Sequence, residues 1–378
     1  MSIKKTGVAR LKLTHFRSYQ NLDLGLDTSL CPVVLTGPNG IGKTNVLEAV
    51  SFLAPGRGLR SARLMDVAHQ DGAGDKTWSV VSSLTCGDFE TQVGTGITLD
   101  SDRRQVKIDG KSTSKQAALG EVARILWLTP AQDRLFSGEP VARRRFLDRL
   151  VQAFDPEHAG RLSSYGAALK EWMCLLKEGR FDEAWLSALE RQIVASGVSL
   201  VASRQEVVDR ITPYLQKEKG LDFPVAELKL TGMLEEKLWQ ESAVWVEEFF
   251  ADYLRRSRSA CARGQNVAGA HTSDFSVVYQ QKGREASLAS SGEQKALLIS
   301  LILAEVSALV AEQGIGPILL LDEVTAHLDD RRRTDLMGRL KDLPAQVWMT
   351  GSEPDHFKAL GANKCLYDVE QFYLKKVA

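Results

Sequence analysis

The chain has 378 residues, enough for two domains or for one large core with an inserted lobe. Apolar residues at 44 % and charged residues at 25 % are ordinary for a globular protein and exclude a largely disordered one. The 48 basic and 48 acidic side chains cancel, which excludes a global basic field; any nucleic-acid surface must be a local patch.

The cysteines Cys31, Cys86, Cys174, Cys261 and Cys365 are scattered and form no Cys-x-x-Cys pair. They predict neither a zinc site nor a disulfide framework, and reduced thiols are the expectation. The opening MSIKKTGVARLKL lacks the apolar run of a signal peptide. The longest apolar stretch, Ala296–Ala311, is too short to span a bilayer and contains Glu305, so no membrane segment is expected.

To about residue 130 the sequence predicts mainly strand. Val8–Phe16, Pro32–Thr36, Trp78–Leu84, Thr91–Leu99 and Gln105–Asp109 are β-rich runs broken by Gly and Asp turns. Val33-Val34-Leu35-Thr36 is short and apolar, as a strand buried on both faces should be. It runs into Gly37-Pro38-Asn39-Gly40-Ile41-Gly42-Lys43-Thr44, a G-x-x-x-x-G-K-T phosphate loop, after which Asn45–Val50 opens a helix. The three glycines let backbone N–H groups turn in on phosphates at the positive end of that helix. Lys43 is then placed for the β- and γ-phosphates and the Thr44 hydroxyl for Mg²⁺.

From Ala131 to about Ala270 helical periodicity takes over, in Arg143–Ala153, His158–Lys177, Phe181–Lys217 and Leu234–Arg258. Leu186, Leu189, Ile193, Val194, Gly197 and Leu200 fit one helical face. No sustained heptad pattern marks a long coiled-coil arm. Basic clusters in this stretch, Arg143-Arg144-Arg145, Arg255-Arg256 with Arg258, and Arg263, are candidate phosphate contacts. Pairing of Arg144 and Arg145 with Asp148 on the same helix is an equal account.

Strand character returns at Phe275–Gln280, Pro317–Leu321 and Gln346–Thr350. Ser290-Ser291-Gly292-Glu293-Gln294 reads as a capping box, Ser290 with Glu293, opening an apolar helix. Such a helix start is also an anion site, and a resemblance to the signature turn of ATP-binding-cassette heads implies that the anion would be the γ-phosphate of a nucleotide on a second subunit. Ser290 and Gly292 are the residues assigned to it. Asp322 ends the apolar strand Ile318–Leu321, where a carboxylate needs a cation to face; Mg²⁺ supplies one, shared with Thr44. Glu323 is then the group to orient or deprotonate the attacking water. The order of these motifs resembles ATP-binding-cassette heads, and that resemblance implies Asp329 where a second chain crosses the dimer axis and Thr350 where a γ-phosphate sensor belongs, with His356 and His327 as competitors.

Phosphate loop, Ser-x-Gly-Glu turn and Asp322-Glu323 strand, in that order, resemble ATP-binding-cassette heads. The expected fold class is α/β: an ABC-type ATPase head built from both chain ends, 1–130 and 275–378, with a helical lobe inserted at 131–274. Closer in, LKLTHFRSYQNLDL (Leu11–Leu24), TNVLEAVSFLAPGRGLRSAR after the loop, LTPAQDRLFSGEPVARRRFLDRL (Leu128–Leu150), LLLDEVTAHLD and QVWMTG resemble the RecF family of bacterial recombination mediators. That resemblance runs from about residue 8 to 360, and Pro130–Asp148 is its family-specific part. It implies a cytoplasmic protein that binds ATP with Mg²⁺, dimerises on double-stranded or gapped DNA, and hydrolyses ATP slowly. It further implies partner mediator proteins that load recombinase, and an Arg17 that approaches the nucleotide. Gln132 is the candidate for a glutamine-loop residue. The nucleotide-binding subunit of a membrane transporter shares the three motifs and is the alternative reading.

Overall fold

The computed structural model describes residues 3–26, 31–69, 76–99, 101–217, 223–362, 364–370 and 373–377, apart from the side chain of Asp102. The chain divides into two compact units: one formed by 1–134, 217–225 and 290–378, the other by 135–216 and 226–289.

In the first unit, β1 (Lys4–Phe16) pairs antiparallel with β2 (Tyr19–Gly25) and with β4 (Trp78–Cys86). Beyond β4 the sheet continues through β5 (Phe89–Thr98), β6 (Ser101–Ile108) and β7 (Lys111–Thr113), while β12 (Ile315–Gly316) adds in parallel to the start of β1. In β4 buried and half-buried residues alternate from Trp78 to Leu84, the pattern of a sheet with one face on a core. A second sheet has the order β16-β15-β3-β14-β13-β8. Its members are β3 (Val33–Thr36), β8 (Ile125–Leu128), β13 (Ile318–Leu321), β14 (Gln346–Thr350), β15 (Cys365–Glu370) and β16 (Tyr373–Lys376). All its pairings are parallel except β15 with β16. Every residue of β3, β13 and β14 is buried, as expected of parallel strands covered on both faces.

The helices of this unit are α1 (Lys43–Ser51), α2 (Ala117–Val122), α8 (Ser291–Gln313) and α9 (Asp330–Asp342). The apolar stretch seen in the sequence is part of a longer helix. By length and composition α8 could cross a membrane, but 78 % of that window is buried in the protein, so α8 is a core helix.

The second unit contains α3 (Pro140–Phe154) and packs α4 (His158–Lys177), α5 (Glu183–Gln216), α6 (Met233–Leu238) and α7 (Ala243–Ala262) around Trp172, Leu186, Ile193, Leu200 and Phe250. The periodic face seen in the sequence, Leu186 to Leu200, is buried there. The single helix expected over 234–258 is two. The chain breaks after Leu238, and the Ser242 hydroxyl caps α7 by accepting the Trp245 N–H. Residues 275–289, grouped with the head by sequence, belong here. β10 (Asp274–Tyr279) pairs antiparallel with β9 (Ala226–Thr231) and β11 (Arg284–Glu285), both in this unit.

One expectation about cysteine is corrected. Cys31 and Cys365 form a disulfide, Cα atoms 6.3 Å apart, because β15 lies beside β3 with Cys365 opposite Val33. Cys86, Cys174 and Cys261 are free thiols.

Candidate nucleotide site

Five parallel strands, β8, β13, β14, β3 and β15, end at one edge of the sheet, and the site is built there. The Asp322 N–H bonds to the Leu128 carbonyl at the end of β8, and the Gly351 N–H to Leu35 at the end of β3. In open α/β sheets ligands bind at such carboxyl ends. The phosphate loop leaves β3 through Gly37 at φ +135° and reaches α1 through Gly42 at φ +111°. Both need glycine twice over. Besides the positive φ, a Cβ at Gly37 would stand 2.8 Å from the Val369 carbonyl, and one at Gly42 2.8 Å from Ser18 Oγ. No side chain caps α1, which leaves its N-terminal dipole for an anion.

Lys43 is 4 % exposed, and its ammonium donates to the carbonyls of Gly37 (2.6 Å) and Pro38 (2.8 Å). Burial presses its pKa down, while Glu323 and Asp322 oppose the shift. The Thr44 hydroxyl donates to Asp322 Oδ1 at 2.9 Å. Thr350, fully buried, donates to the same oxygen at 2.7 Å and accepts the Glu323 N–H at 2.8 Å. Thr44, Asp322, Thr350 and Glu323 thus form one hydrogen-bonded chain beside the loop. A hydroxyl and a carboxylate sharing a hydrogen bond at the start of α1 are the donors a hard divalent cation takes together with phosphate oxygens, so these residues fit Mg²⁺. Among the described residues no group of three His, Cys, Asp or Glu side chains could hold a metal alone.

Ser290 and Glu293 make the full capping box at the start of α8: Glu293 Oε2 accepts the Ser290 N–H at 2.9 Å, and Ser290 Oγ accepts from Glu293. Ser290 and Ser291 are exposed. Gly292 is closely packed: a Cβ there would sit 3.0 Å from the His327 carbonyl. Asp329 caps its own helix, α9, accepting the Arg332 N–H at 2.9 Å while its side chain stays 61 % exposed. Gln132 Oε1 accepts the Thr129 N–H at 2.8 Å, closing a 3₁₀ turn.

Two expected roles meet a different geometry. Thr350 presents no free hydroxyl to a phosphate, because both hydrogen-bonding functions serve Asp322 and Glu323. Arg17, at φ +52°, grips Glu48 with two bonds of 2.9 and 2.7 Å and donates to the Asp66 carbonyl at 2.6 Å. Glu48 is fully buried in α1 and takes a third bond, 2.9 Å, from Arg60, which also holds Asn45. A buried carboxylate commands such pairing, so the Arg17 guanidinium is engaged by Glu48 and the Asp66 carbonyl.

His356 contacts Thr325 at 3.4 Å and Glu353 at 3.1 Å, and His327 is exposed at φ +62°. Of the arginine run in the second unit, Arg143 forks onto Asp274 and Arg144 donates to the Ser273 carbonyl, whereas Arg145 is exposed. Asp148 attracts Arg144 electrostatically, but its hydrogen bonds go to Arg204 and His158.

Sequence reasoning missed Glu48, Arg60, Asp133 and Lys295. For two of them a signal was present, a charge in or beside an apolar segment: Glu48 within α1, and Lys295 at the head of the longest apolar run; Arg60 and Asp133 sit in polar stretches that carry none.

Residues 7–373 match the family described as RecF/RecN/SMC N terminal domain. Proteins named DNA replication and repair protein RecF are similar over nearly the full length. That of Allorhizobium ampelinum is 42 % identical over 375 residues, covering 98 % of this chain and 99 % of the relative. That of Agrobacterium fabrum is 41 % identical over 374 residues, covering 98 % of both. The fold is similar to a solved structure of the recombination mediator protein RecF-ATPrS in the RecFOR pathway, at TM-score 0.86 and 19 % identity, over the whole of both chains. It is also similar to the Smc head domain with an extended coiled coil from Pyrococcus furiosus, bound to the C-terminal domain of ScpA. There the TM-score is 0.55 at 15 % identity, over 98 % of this chain and 96 % of that one. Matched along nearly its whole length to relatives that share about two residues in five with it, this chain belongs to the RecF family.

Proposed function

We propose that this chain is an ATP-dependent DNA-binding protein of replication and repair. On this reading it dimerises on double-stranded or gapped DNA when ATP and Mg²⁺ are bound, and it helps partner mediators load recombinase at single-strand gaps in the cytoplasm. The observation that carries the reading is the chain Thr44–Asp322–Thr350–Glu323 beside the phosphate loop, with Lys43 held at the loop carbonyls.

Each residue has a physical task in it. The first turn of α1 and the Lys43 ammonium receive the β- and γ-phosphates. Thr44 and Asp322 would hold Mg²⁺, which would neutralise charge on the phosphate oxygens. Thr350 fixes the Asp322 carboxylate and the Glu323 backbone. Glu323 orients the attacking water and accepts its proton. The exposed Ser290 cap at the head of α8 offers its small residues to the γ-phosphate of a second subunit, with Asp329 at the crossing of the two chains. Hydrolysis is slow because each turnover waits for two subunits to meet.

The relatives' names give no support to the transporter subunit. Steady-state ATP hydrolysis by the full chain, with and without a short DNA duplex and at two salt concentrations, tests the reading. Salt-sensitive stimulation by duplex supports it, and a rate indifferent to DNA at both salts contradicts it.

A further inference from the structure

Lys295 is 1 % exposed. Its ammonium donates to the Glu323 carbonyl at 2.9 Å and lies 3.4 Å from Asp133 Oδ2. Burial presses the Lys295 pKa down and the Asp133 pKa up, so neither charge is there cheaply. A methionine would fill the same volume without the desolvation that an ammonium suffers. The charge therefore needs a reason beyond packing, and its contacts supply one.

Glu323 stands at φ +49°, a left-handed conformation that a non-glycine residue keeps only where its surroundings determine it. Both of its flanking peptides are held. Thr350 accepts the N–H on one side, and Lys295 binds the C=O on the other. The φ and ψ of Glu323 set the direction in which its side chain leaves the backbone. Lys295 rides on α8, the helix whose first turn carries Ser290 and whose Gly292 packs against the His327 carbonyl, in the loop that begins at Glu323. Asp133, next to Gln132, anchors the same ammonium from a third segment.

We propose that Lys295 is a positioning residue for hydrolysis: by gripping the Glu323 carbonyl it aims the Glu323 carboxylate and makes that aim follow the seating of α8. A phosphate arriving from a second subunit at the Ser290 end of α8 thereby reports to Glu323 of the same chain, bypassing the phosphate loop. The inference rests on the reading of Glu323 as the group that orients water.

The test uses the full chain with ATP and Mg²⁺, and the variants Lys295→Met and Lys295→Gln, each also made with Asp133→Asn so that no carboxylate is left unpaired. The expected result is a fall in kcat of about tenfold or more, with ATP affinity within about threefold of wild type and ATP-dependent dimerisation retained. In a Glu323→Gln background the same substitutions should change the residual rate by less than about twofold, because they act through the group already removed. An unchanged kcat overturns the proposal. So does a parallel loss of ATP affinity and kcat. If neither substitution folds to within about 5 °C of the wild-type Tm, the ammonium is a strut of the fold and the assignment also falls. A Glu323→Gln chain that hydrolyses ATP like wild type would instead remove the reading of Glu323 on which the inference stands.

Discussion

The Thr350 hydroxyl donates to Asp322 Oδ1 at 2.7 Å and in the same geometry accepts the Glu323 N–H at 2.8 Å. The last residue of β14 therefore fixes the two acids that follow β13, and it does so from a position with no access to solvent. A hydroxyl used as both donor and acceptor has no surrogate in an isosteric methyl.

Thr350→Val should remove both bonds and leave the Glu323 N–H and one Asp322 interaction unsatisfied, each a loss of about 1–3 kcal/mol. The expectation is a fall in kcat of about tenfold or more, a Tm lowered by a few degrees, and recovery of most activity by Thr350→Ser. Steady-state kinetics and thermal melts check this. Wild-type kcat in the valine variant would show that Glu323 is placed without Thr350.

Arg17→Ala should act on stability more than on nucleotide binding, because its guanidinium serves Glu48 and the Asp66 carbonyl. Arg60 remains to pair the carboxylate, which limits the cost to about 1–3 kcal/mol rather than that of a bare buried charge. Denaturant melts and ATP titrations of the same variant separate the two effects. A large loss of ATP affinity at unchanged stability would restore Arg17 to the nucleotide.

In the second unit Asp148 is held by Arg204 and His158, all three nearly buried. Burial raises the Asp148 pKa, but the hydrogen bonds from His158 and Arg204 outweigh it and leave the group below its ordinary 3.8. A depressed carboxyl contributes stability that is complete above the unfolded value and is lost as pH falls through the folded one. Urea melts should therefore show an acid limb below about pH 4 that Asp148→Asn flattens. Arg204→Met should cost about 3–5 kcal/mol at neutral pH by leaving Asp148 without its main partner. Unaltered melts in Arg204→Met would mean that His158 alone suffices.

Glu323→Gln keeps the shape of the side chain and removes its capacity to take a proton. ATP binding should persist while hydrolysis falls by about 10²-fold or more. The dimer held on duplex DNA should then outlive the wild-type complex, as followed by dissociation into competitor DNA. Rapid release by the variant would separate hydrolysis from the DNA-bound lifetime.

The parts of this molecule legible in its sequence are those whose chemistry lies in consecutive residues. The phosphate loop, the Ser290–Glu293 box and the Asp322-Glu323 strand end each carry their spacing with them. The relationships that complete the site join distant segments: Thr350 to Asp322, Lys295 to Glu323, Arg17 and Arg60 to Glu48. Nothing local distinguishes Thr350 as a sensor from Thr350 as a clamp, because the difference is where its hydroxyl points. The same holds for Cys31 and Cys365, which the β3–β15 pairing brings together across a sequence separation of 334. Residues 274–279 show strand alternation but not the partner strand, and it is pairing with β9 that assigns them to the second unit. The break after Leu238 was hidden because apolar periodicity continues through Trp239 and Val244, both of which are exposed.

The most direct test of the central claim, a nucleotide site completed by a second copy of the chain, is sedimentation of the full chain with and without ATP and Mg²⁺. Wild type and Lys43→Ala are to be run side by side in the presence of a short duplex. The account predicts a shift from monomer to DNA-bound dimer that requires ATP and is absent in Lys43→Ala. A wild-type chain whose sedimentation does not respond to ATP would contradict it, and would leave Ser290–Gln294 as nothing more than the cap of α8.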